Sequence, residues 1–183
     1  MEEFAYVLDY MPQGAPGGSF DRKEPVCYAL GETEFKLFEL VPKNGATINF
    51  EDRVYIGKDG AQRTAIDHVK RRVGIEELTN TAQSELDFAV TAIVKATESR
   101  FVRFYNEAGP ISIRKHLLEE LPGLGKKSMQ AILDERTKNG PFKSFADITA
   151  RVPMVKNPEK PIVARIVLEI NDPSRKRYLF VSR

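Results

Sequence analysis

The sequence contains no tryptophan, only one cysteine and only two histidines. Cys27 has no second thiol with which to pair, so an internal disulfide is excluded. Its apolar neighbours predict a buried small hydrophobe in a reducing compartment rather than a reactive nucleophile. His68 and His116 lie far apart and have no cysteine partners, so the sequence shows no metal-ligand spacing. These scarcities exclude a disulfide scaffold and give no candidate for a metal or catalytic residue.

Long apolar runs are also missing, since no segment approaches the roughly 18 residues of a membrane span. The first residues, Met1, Glu2 and Glu3, lack the positive charge with which a secretory signal begins. We therefore expect a cytoplasmic protein with no membrane partner. Apolar types make up 42% of 183 residues, enough for one large domain or two small ones.

Charge is unevenly distributed along the chain. Residues 1–80 hold ten basic and fourteen acidic side chains, a net charge of −4, whereas residues 81–183 hold eighteen and twelve, a net charge of +6. A net positive charge in the second half favours a polyanionic partner for that half. The alternative, equally consistent with these charges, is a well-solvated surface with a modest charge imbalance.

The first 72 residues have the pattern of short strands. Apolar residues alternate over 4–10, and short apolar runs follow at 26–30, 35–41 and 53–56, each bounded by Gly, Pro, Asn or Asp. This predicts a small antiparallel β-barrel. Residues 49–57 resemble the strand entry of RNA-binding oligonucleotide-binding (OB) barrels, which implies an OB-like barrel. Residues 11–20 are rich in Gly and Pro, which predicts an irregular surface loop.

The second half changes to helical spacing. Apolar residues recur at intervals of three and four residues from Leu86 to Tyr105, which predicts an amphipathic helix. Thr81 or Ser84 could cap its beginning, and Gly109 ends it. Its aromatic residues are expected in the core. Further helical faces are predicted at 113–121, 129–133, 145–148 and 162–170. Gly140 followed by Pro141 should end the second of these, and Ser144 should cap the third. Residues 177–181 are predicted to form a final strand. The expected fold class is α+β: a barrel over 1–78, connecting helices over 79–109, an all-α domain over 110–172 and a tail over 173–183.

A tight turn joins two of these helical segments at residues 121–128, Leu-Pro-Gly-Leu-Gly-Lys-Lys-Ser. Glycine at 123 and 125 allows positive φ or the close approach of an anion. The helix that follows begins with unpaired N–H groups and the positive end of its dipole. Candidate phosphate-binding residues therefore comprise the whole turn after its proline: Gly123, Leu124, Gly125, Lys126, Lys127 and Ser128.

This turn resembles the helix-hairpin-helix family, and the match covers about residues 110–140. The resemblance implies binding to the nucleic-acid backbone without sequence readout, sometimes with a monovalent cation held by hairpin carbonyls. A second hairpin of a paired domain would fall at 152–158, where Met154 and Lys156 replace the expected glycines. Lys156 is still expected to contact the nucleic acid electrostatically, as is Lys160. A hairpin used only for packing is the alternative.

An enzymatic alternative comes from DNA glycosylases that share the hairpin, in which a lysine attacks the sugar and an aspartate assists. Lys127 aligns loosely with that lysine, and Asp147 is a candidate for the aspartate. The chain lacks the large helical domain that encloses a flipped base. We therefore expect no catalytic residue and no enzyme activity.

In the first half, Arg71 and Arg72 are candidate contacts at a basic strand end, although a solvated strand end is an equal alternative. Over nearly the whole chain, the segments 4–10, 53–57 and the hairpin resemble an uncharacterised archaeal family of predicted RNA-binding proteins. The resemblance implies an RNA partner, favoured over DNA, in translation or ribosome assembly. The alternatives are a protein-interaction scaffold and a DNA-binding repair or recombination protein.

Overall fold

A computed structural model describes residues 1–14 and 24–183. The chain divides into two compact units, one formed by Met1–Ala89 with Glu169–Arg183 and the other by Val90–Leu168. Most of the loop predicted at 11–20 lies outside the described residues. The predicted α+β class is confirmed: the described chain holds five strands and five α-helices.

The first unit is built on one antiparallel sheet. Its strands are β1 Phe4–Met11, β2 Val26–Gly31, β3 Leu37–Pro42, β4 Arg53–Tyr55 and β5 Ile66–Arg72. The spatial order is β4-β1-β2-β3-β5, with every neighbouring pair antiparallel. Curling of this sheet gives a half-barrel. The strands predicted from alternation are confirmed, and β5 completes the set.

One face of the half-barrel holds an apolar core. Alternate residues of the strands point into it, because successive side chains of a strand face opposite sides. Its buried members are Ala5, Val7, Cys27, Ala29, Phe38, Leu40, Ile48, Val54, Ile56 and Ile66. Cys27 is fully buried, and this burial, helped by Asp9 and Asp52, raises the pKa of its thiol to about 12. The prediction that Cys27 is buried is confirmed.

The helices are α1 Asn80–Ala96, α2 Glu98–Glu107, α3 Lys126–Asn139, α4 Phe145–Arg151 and α5 Glu159–Asn171. Short 3₁₀ helices lie at Gly60–Gln62, Ile75–Glu77 and Leu117–Glu120. As predicted, the aromatic residues Phe101 and Tyr105 are buried. Ser144 caps α4 by accepting the N–H of Asp147 at 2.9 Å, which is the cap expected from the sequence.

The start of α1 differs from the prediction. Neither Thr81 nor Ser84 caps this helix, because it begins one residue before Thr81. The Thr79 hydroxyl accepts the N–H of Ala82 at 3.1 Å and donates to the buried Asp9 carboxylate at 2.6 Å. Position 79 therefore combines a helix cap with a partner for a charge that β1 buries.

Two other predicted elements are wrong. A helical face over 113–121 is replaced by the 3₁₀ helix Leu117–Glu120, and Ile113 is fully exposed instead of buried. The strand predicted at 177–181 is absent from the described tail. The tail residues bind by other means, since Ser182 donates its N–H to the carbonyl of Glu34 at 3.0 Å.

Within the second unit, a buried ion pair holds α5 against the 3₁₀ helix Leu117–Glu120. Arg165 is 1% exposed, and its Nη1 donates to Oε2 of Glu120 at 2.9 Å and to the Glu120 carbonyl at 3.2 Å. Lys115 binds the other carboxylate oxygen at 2.8 Å. These hydrogen bonds, that from Lys115 first, lower the pKa of Glu120.

We predict that Glu120→Ala destabilises the protein by about 3 kcal/mol, because it removes one partner of a buried ion pair with Arg165. Chemical denaturation measures the change, with Glu107→Ala as a control at an exposed position on α2. The double variant Glu120→Leu/Arg165→Met should recover most of the loss, since an apolar pair of similar size needs no counter-ion. Equal loss in the single and double variants would refute this account.

His116 caps the same 3₁₀ helix. Its Nδ1 accepts the N–H of Leu118 at 3.0 Å, while the Glu119 carboxylate accepts the N–H of His116 at 3.1 Å. Partial burial and then the nearby Arg136 lower the pKa of this imidazole. A protonated ring cannot accept the Leu118 bond, so the cap requires the neutral form.

This cap predicts a pH dependence of stability. Because the folded-state pKa of His116 is below the unfolded value near 6.5, the contribution is complete above about pH 6.5 and is lost as pH falls through the folded-state pKa. Asparagine accepts the same bond without titrating, so His116→Asn should flatten the fall of the thermal midpoint below pH 6.5. A profile identical in wild type and His116→Asn would contradict the assignment.

Candidate functional site

The turn at residues 121–125 connects the 3₁₀ helix Leu117–Glu120 to α3. Gly123 has a φ of +81°, a conformation that side chains other than glycine adopt with strain. Leu124 donates its N–H back to the carbonyl of Leu121 at 3.2 Å, which closes the turn. Leu121 itself is buried. The turn therefore has a fixed shape, anchored in the core by Leu121.

Gly125 occupies the N-cap of α3 with an extended backbone, at φ −74° and ψ 165°. Any residue can adopt this conformation. A Cβ atom added here would meet no atom within 4 Å, so neither backbone strain nor internal packing explains the glycine. No side chain caps the helix. The first-turn N–H groups of α3 consequently open onto free space at its positive dipole end.

Two exposed lysines follow immediately. Lys126 and Lys127 form the first helical positions of α3, and Ser128 is half-buried beside them. Among the residues that the structure describes, neither lysine forms an ion pair. Their charge adds to that of the helix dipole, and together they favour an anion at this end of α3.

A groove of about 380 Å³ lies between this turn and the segment that joins α4 to α5. One side is formed by the turn itself, including Gly123 and Ser128, and the other by Lys156, Asn157 and Lys160. The structure thus brings the predicted residue Lys156 close to the turn. Asn157 was missed, because an amide within a proline-containing insertion carries no recognisable sequence signal.

Asp147 lies on α4, where its carboxylate accepts the N–H of Lys143 at 2.9 Å and binds Arg151 at 3.2 Å. These bonds, that from Lys143 first, lower the pKa of Asp147. Arg151 also binds Glu135 of α3 at 2.9 Å. The carboxylate therefore takes part in the network that joins α3 to α4.

Arg71 and Arg72 have different surroundings in the first unit. The Arg71 guanidinium binds Glu77 at 2.6 Å and Glu39 at 3.2 Å, so its charge is neutralised within the protein. Arg72 is exposed and has no ion pair with any described residue. Only the second of the two predicted arginines therefore offers an unneutralised charge.

No helix in the described part of the chain has the length and apolar character needed to cross a membrane.

Comparison with known proteins identifies relatives along the full chain. Residues 1–182 match a family model described as a protein of unknown function, DUF655. The uncharacterized protein MJ0038 of Methanocaldococcus jannaschii is 46% identical over 181 residues, which cover 98% of this chain and 80% of that protein. The crystal structure of Af1531 from Archaeoglobus fulgidus superposes with a TM-score of 0.90 at 44% identity, covering 99% of this chain and all of that one. The predicted relationship to archaeal proteins is confirmed at this level, and the chain belongs to the DUF655 family.

Proposed function

We propose that this protein is a non-enzymatic nucleic-acid-binding protein that holds the phosphate backbone at the turn formed by Gly123–Ser128. In this interpretation the second unit is a paired helix-hairpin-helix domain with one intact hairpin, and the half-barrel is OB-like. A hairpin carbonyl could also hold a monovalent cation.

The observation that carries the proposal is the open N-terminus of α3. No side chain caps the N–H groups at this end, and the space beside Gly125 is open. The backbone conformation of Gly125 does not itself require glycine. A phosphate oxygen can approach such a backbone where a Cβ atom would block it. Lys126 and Lys127 add mobile charge at the same end. Nothing in this arrangement can read a base, so the binding is independent of sequence.

The neighbouring groove extends the anion site beyond a single phosphate. Lys156 and Lys160 face it from the second hairpin, and both are exposed. Several cations along one groove suit a polymer of phosphates better than one small anion, because each neutralised phosphate contributes to binding separately. We call the phosphate-binding turn of residues 123–128 the clip. The second hairpin contributes charge to the groove, although it lacks the glycines of such a clip.

RNA is the favoured polymer, and translation or ribosome assembly the favoured process, because of the resemblance to predicted RNA-binding proteins. A backbone clip would hold DNA as well. A protein-interaction scaffold is the alternative, and binding measurements with structured RNA, single-stranded RNA and duplex DNA separate the two. Capture of a protein partner that survives nuclease and high salt, with no oligonucleotide bound, would favour the scaffold.

Gly125→Asp should separate stability from binding. An aspartate at the N-cap accepts the free N–H groups of α3, so we expect the thermal midpoint to stay unchanged or rise slightly. The same carboxylate occupies the phosphate position and repels the backbone, so affinity for RNA and duplex DNA should fall at least tenfold. Fluorescence anisotropy with labelled oligonucleotides measures the affinity.

Gly109→Asp is the matched control, since it adds the same charge in the same unit at a position where a Cβ atom also meets nothing. It should leave affinity within about twofold of wild type. If Gly125→Asp binds as tightly as this control, phosphate does not bind at α3.

The lysines of the groove predict a change in salt dependence. Lys156→Ala/Lys160→Ala should weaken binding to all sequences alike and reduce the slope of log K against log salt by about one unit per lost phosphate contact. The control Lys95→Ala/Lys138→Ala removes two exposed lysines of the same unit that do not line the groove. An equal reduction in both double variants would show only a general effect of net charge.

A further inference from the structure

The residues after α5 are held firmly in the first unit by one buried carboxylate. Glu169 is 1% exposed, and its Oε1 accepts the N–H groups of Leu179, Phe180 and Val181 at 2.9, 3.1 and 3.1 Å. Charge-assisted bonds of this kind compensate the burial of the carboxylate. The tail is therefore a fixed wall of the unit, although it forms no strand.

A small pocket lies between this tail and the edge of the sheet. Its volume is about 200 Å³, and its walls are mostly apolar side chains from β3, the 3₁₀ helix Ile75–Glu77, α5 and the tail. They include Leu37, Ile75, Ile170 and Val181. The volume is below the roughly 300 Å³ at which sites for drug-sized ligands begin, so the pocket suits one ring system rather than a larger molecule.

Two arginines line this pocket, and the acidic residue Glu76 lines it as well. Arg72 and Arg183 both line it, and both are exposed. The Arg183 guanidinium lies 4.6 Å from the centre of the Tyr178 ring and donates to the Tyr178 hydroxyl at 2.6 Å. Residues 173–183 contain four basic and no acidic side chains. The pocket therefore joins an apolar interior to a positively charged edge with a planar stacking surface.

We propose that this pocket takes one unstacked base of a single-stranded nucleic acid, with the adjoining phosphate on Arg72. Aromatic rings and guanidinium planes are the surfaces on which unstacked bases lie in proteins. Guanidinium groups also bind phosphate oxygens in pairs. The class of ligand, a nucleic acid, rests on the proposed function. The base, however, is bound in the first unit, whereas the clip lies in the second.

A path for the flanking strand continues beyond the pocket. Lys36 and Arg72 line both the pocket and a second groove of about 430 Å³ beside β5. Lys58 and His68 lie along that groove, and Phe38 and Ile56 also line it. Glu2 and Glu34 line the groove too, and Lys36 binds Glu34 at 2.7 Å. Lys58 and Arg72 have no ion pair with any described residue, and such cations beside an apolar floor suit a single strand. A base in the pocket would therefore have its neighbouring nucleotides over this groove.

The absence of tryptophan in the chain allows a direct test. Tyr178→Trp places a single fluorophore at the pocket, and Phe88→Trp, at an exposed position on α1, is the control. We expect a single-stranded RNA hexamer to quench the first variant and not the second. A hexamer of abasic sugar phosphates should quench neither, since quenching requires a stacked base.

Affinity measurements on variants that retain Tyr178 test the same pocket without the tryptophan substitution. Arg72→Ala should weaken binding of the RNA hexamer roughly five- to hundredfold, as loss of a stacked base with its phosphate does, and should leave duplex binding unchanged. Lys70→Ala removes the same charge two residues away on β5 without touching the pocket, and should change hexamer binding less than twofold.

These experiments distinguish the pocket proposal from the clip proposal. Gly125→Asp tests the clip by duplex binding, whereas the fluorophore tests the pocket by base-dependent quenching. Quenching by the hexamer without any duplex binding would retain the pocket and refute the clip. Failure of the hexamer to quench Tyr178→Trp together with equal hexamer binding by Arg72→Ala and Lys70→Ala overturns the pocket proposal. Quenching by an acidic tyrosine-containing peptide in place of RNA overturns it also.

Discussion

The pairing of Arg165 with Glu120 is the interaction on which the geometry of the second unit depends. A guanidinium that is almost completely buried on α5 binds both the carboxylate and the carbonyl of the residue that ends a 3₁₀ helix. Immediately after that residue comes the turn with Gly123 and Gly125. Because an uncompensated buried charge is so costly, α5 and the turn are fixed together, and the groove beside the turn has a defined shape.

A common electrostatic pattern runs through both units. Cations that the fold needs are paired internally, as Arg165 with Glu120, Arg71 with Glu39 and Glu77, and Arg151 with Glu135 and Asp147. At the proposed interfaces Lys126, Lys156 and Arg72 have no carboxylate partner among the described residues, whereas Lys36 pairs with Glu34. Unpaired charge at an open surface retains its attraction for an external anion, whereas paired charge contributes to stability. Net charge alone does not make this distinction.

The proposed clip and the proposed base pocket divide recognition between the two units. At the start of α3 only backbone N–H groups and flexible lysines are available, so any phosphate fits. The pocket beside β5 offers apolar walls and a stacking surface, so it favours an unpaired ring. If both proposals hold, the first site supplies affinity for any nucleic acid and the second a preference for unpaired bases.

Local patterns determined much of what the sequence could predict. The alternation of residues 4–10, the caps and stops around Ser144 and Gly140, and the burial of Cys27 and Tyr105 all follow from short-range periodicity and turn chemistry. The candidate residues Gly123–Ser128 were also recognisable, because a turn of this kind depends only on neighbours in the chain.

Contacts between distant residues were decided by the tertiary structure alone. Thr79 became the cap of α1 because Asp9, seventy residues away, needs a partner there. The apolar spacing over 113–121 did not produce an α-helix, since Arg165 and the His116 cap favour a short 3₁₀ turn. Likewise, the three N–H groups that bind Glu169 are turned towards one carboxylate and not towards a neighbouring strand. Sequence determines which groups can bond, but their choice among partners depends on burial, which only the folded chain provides.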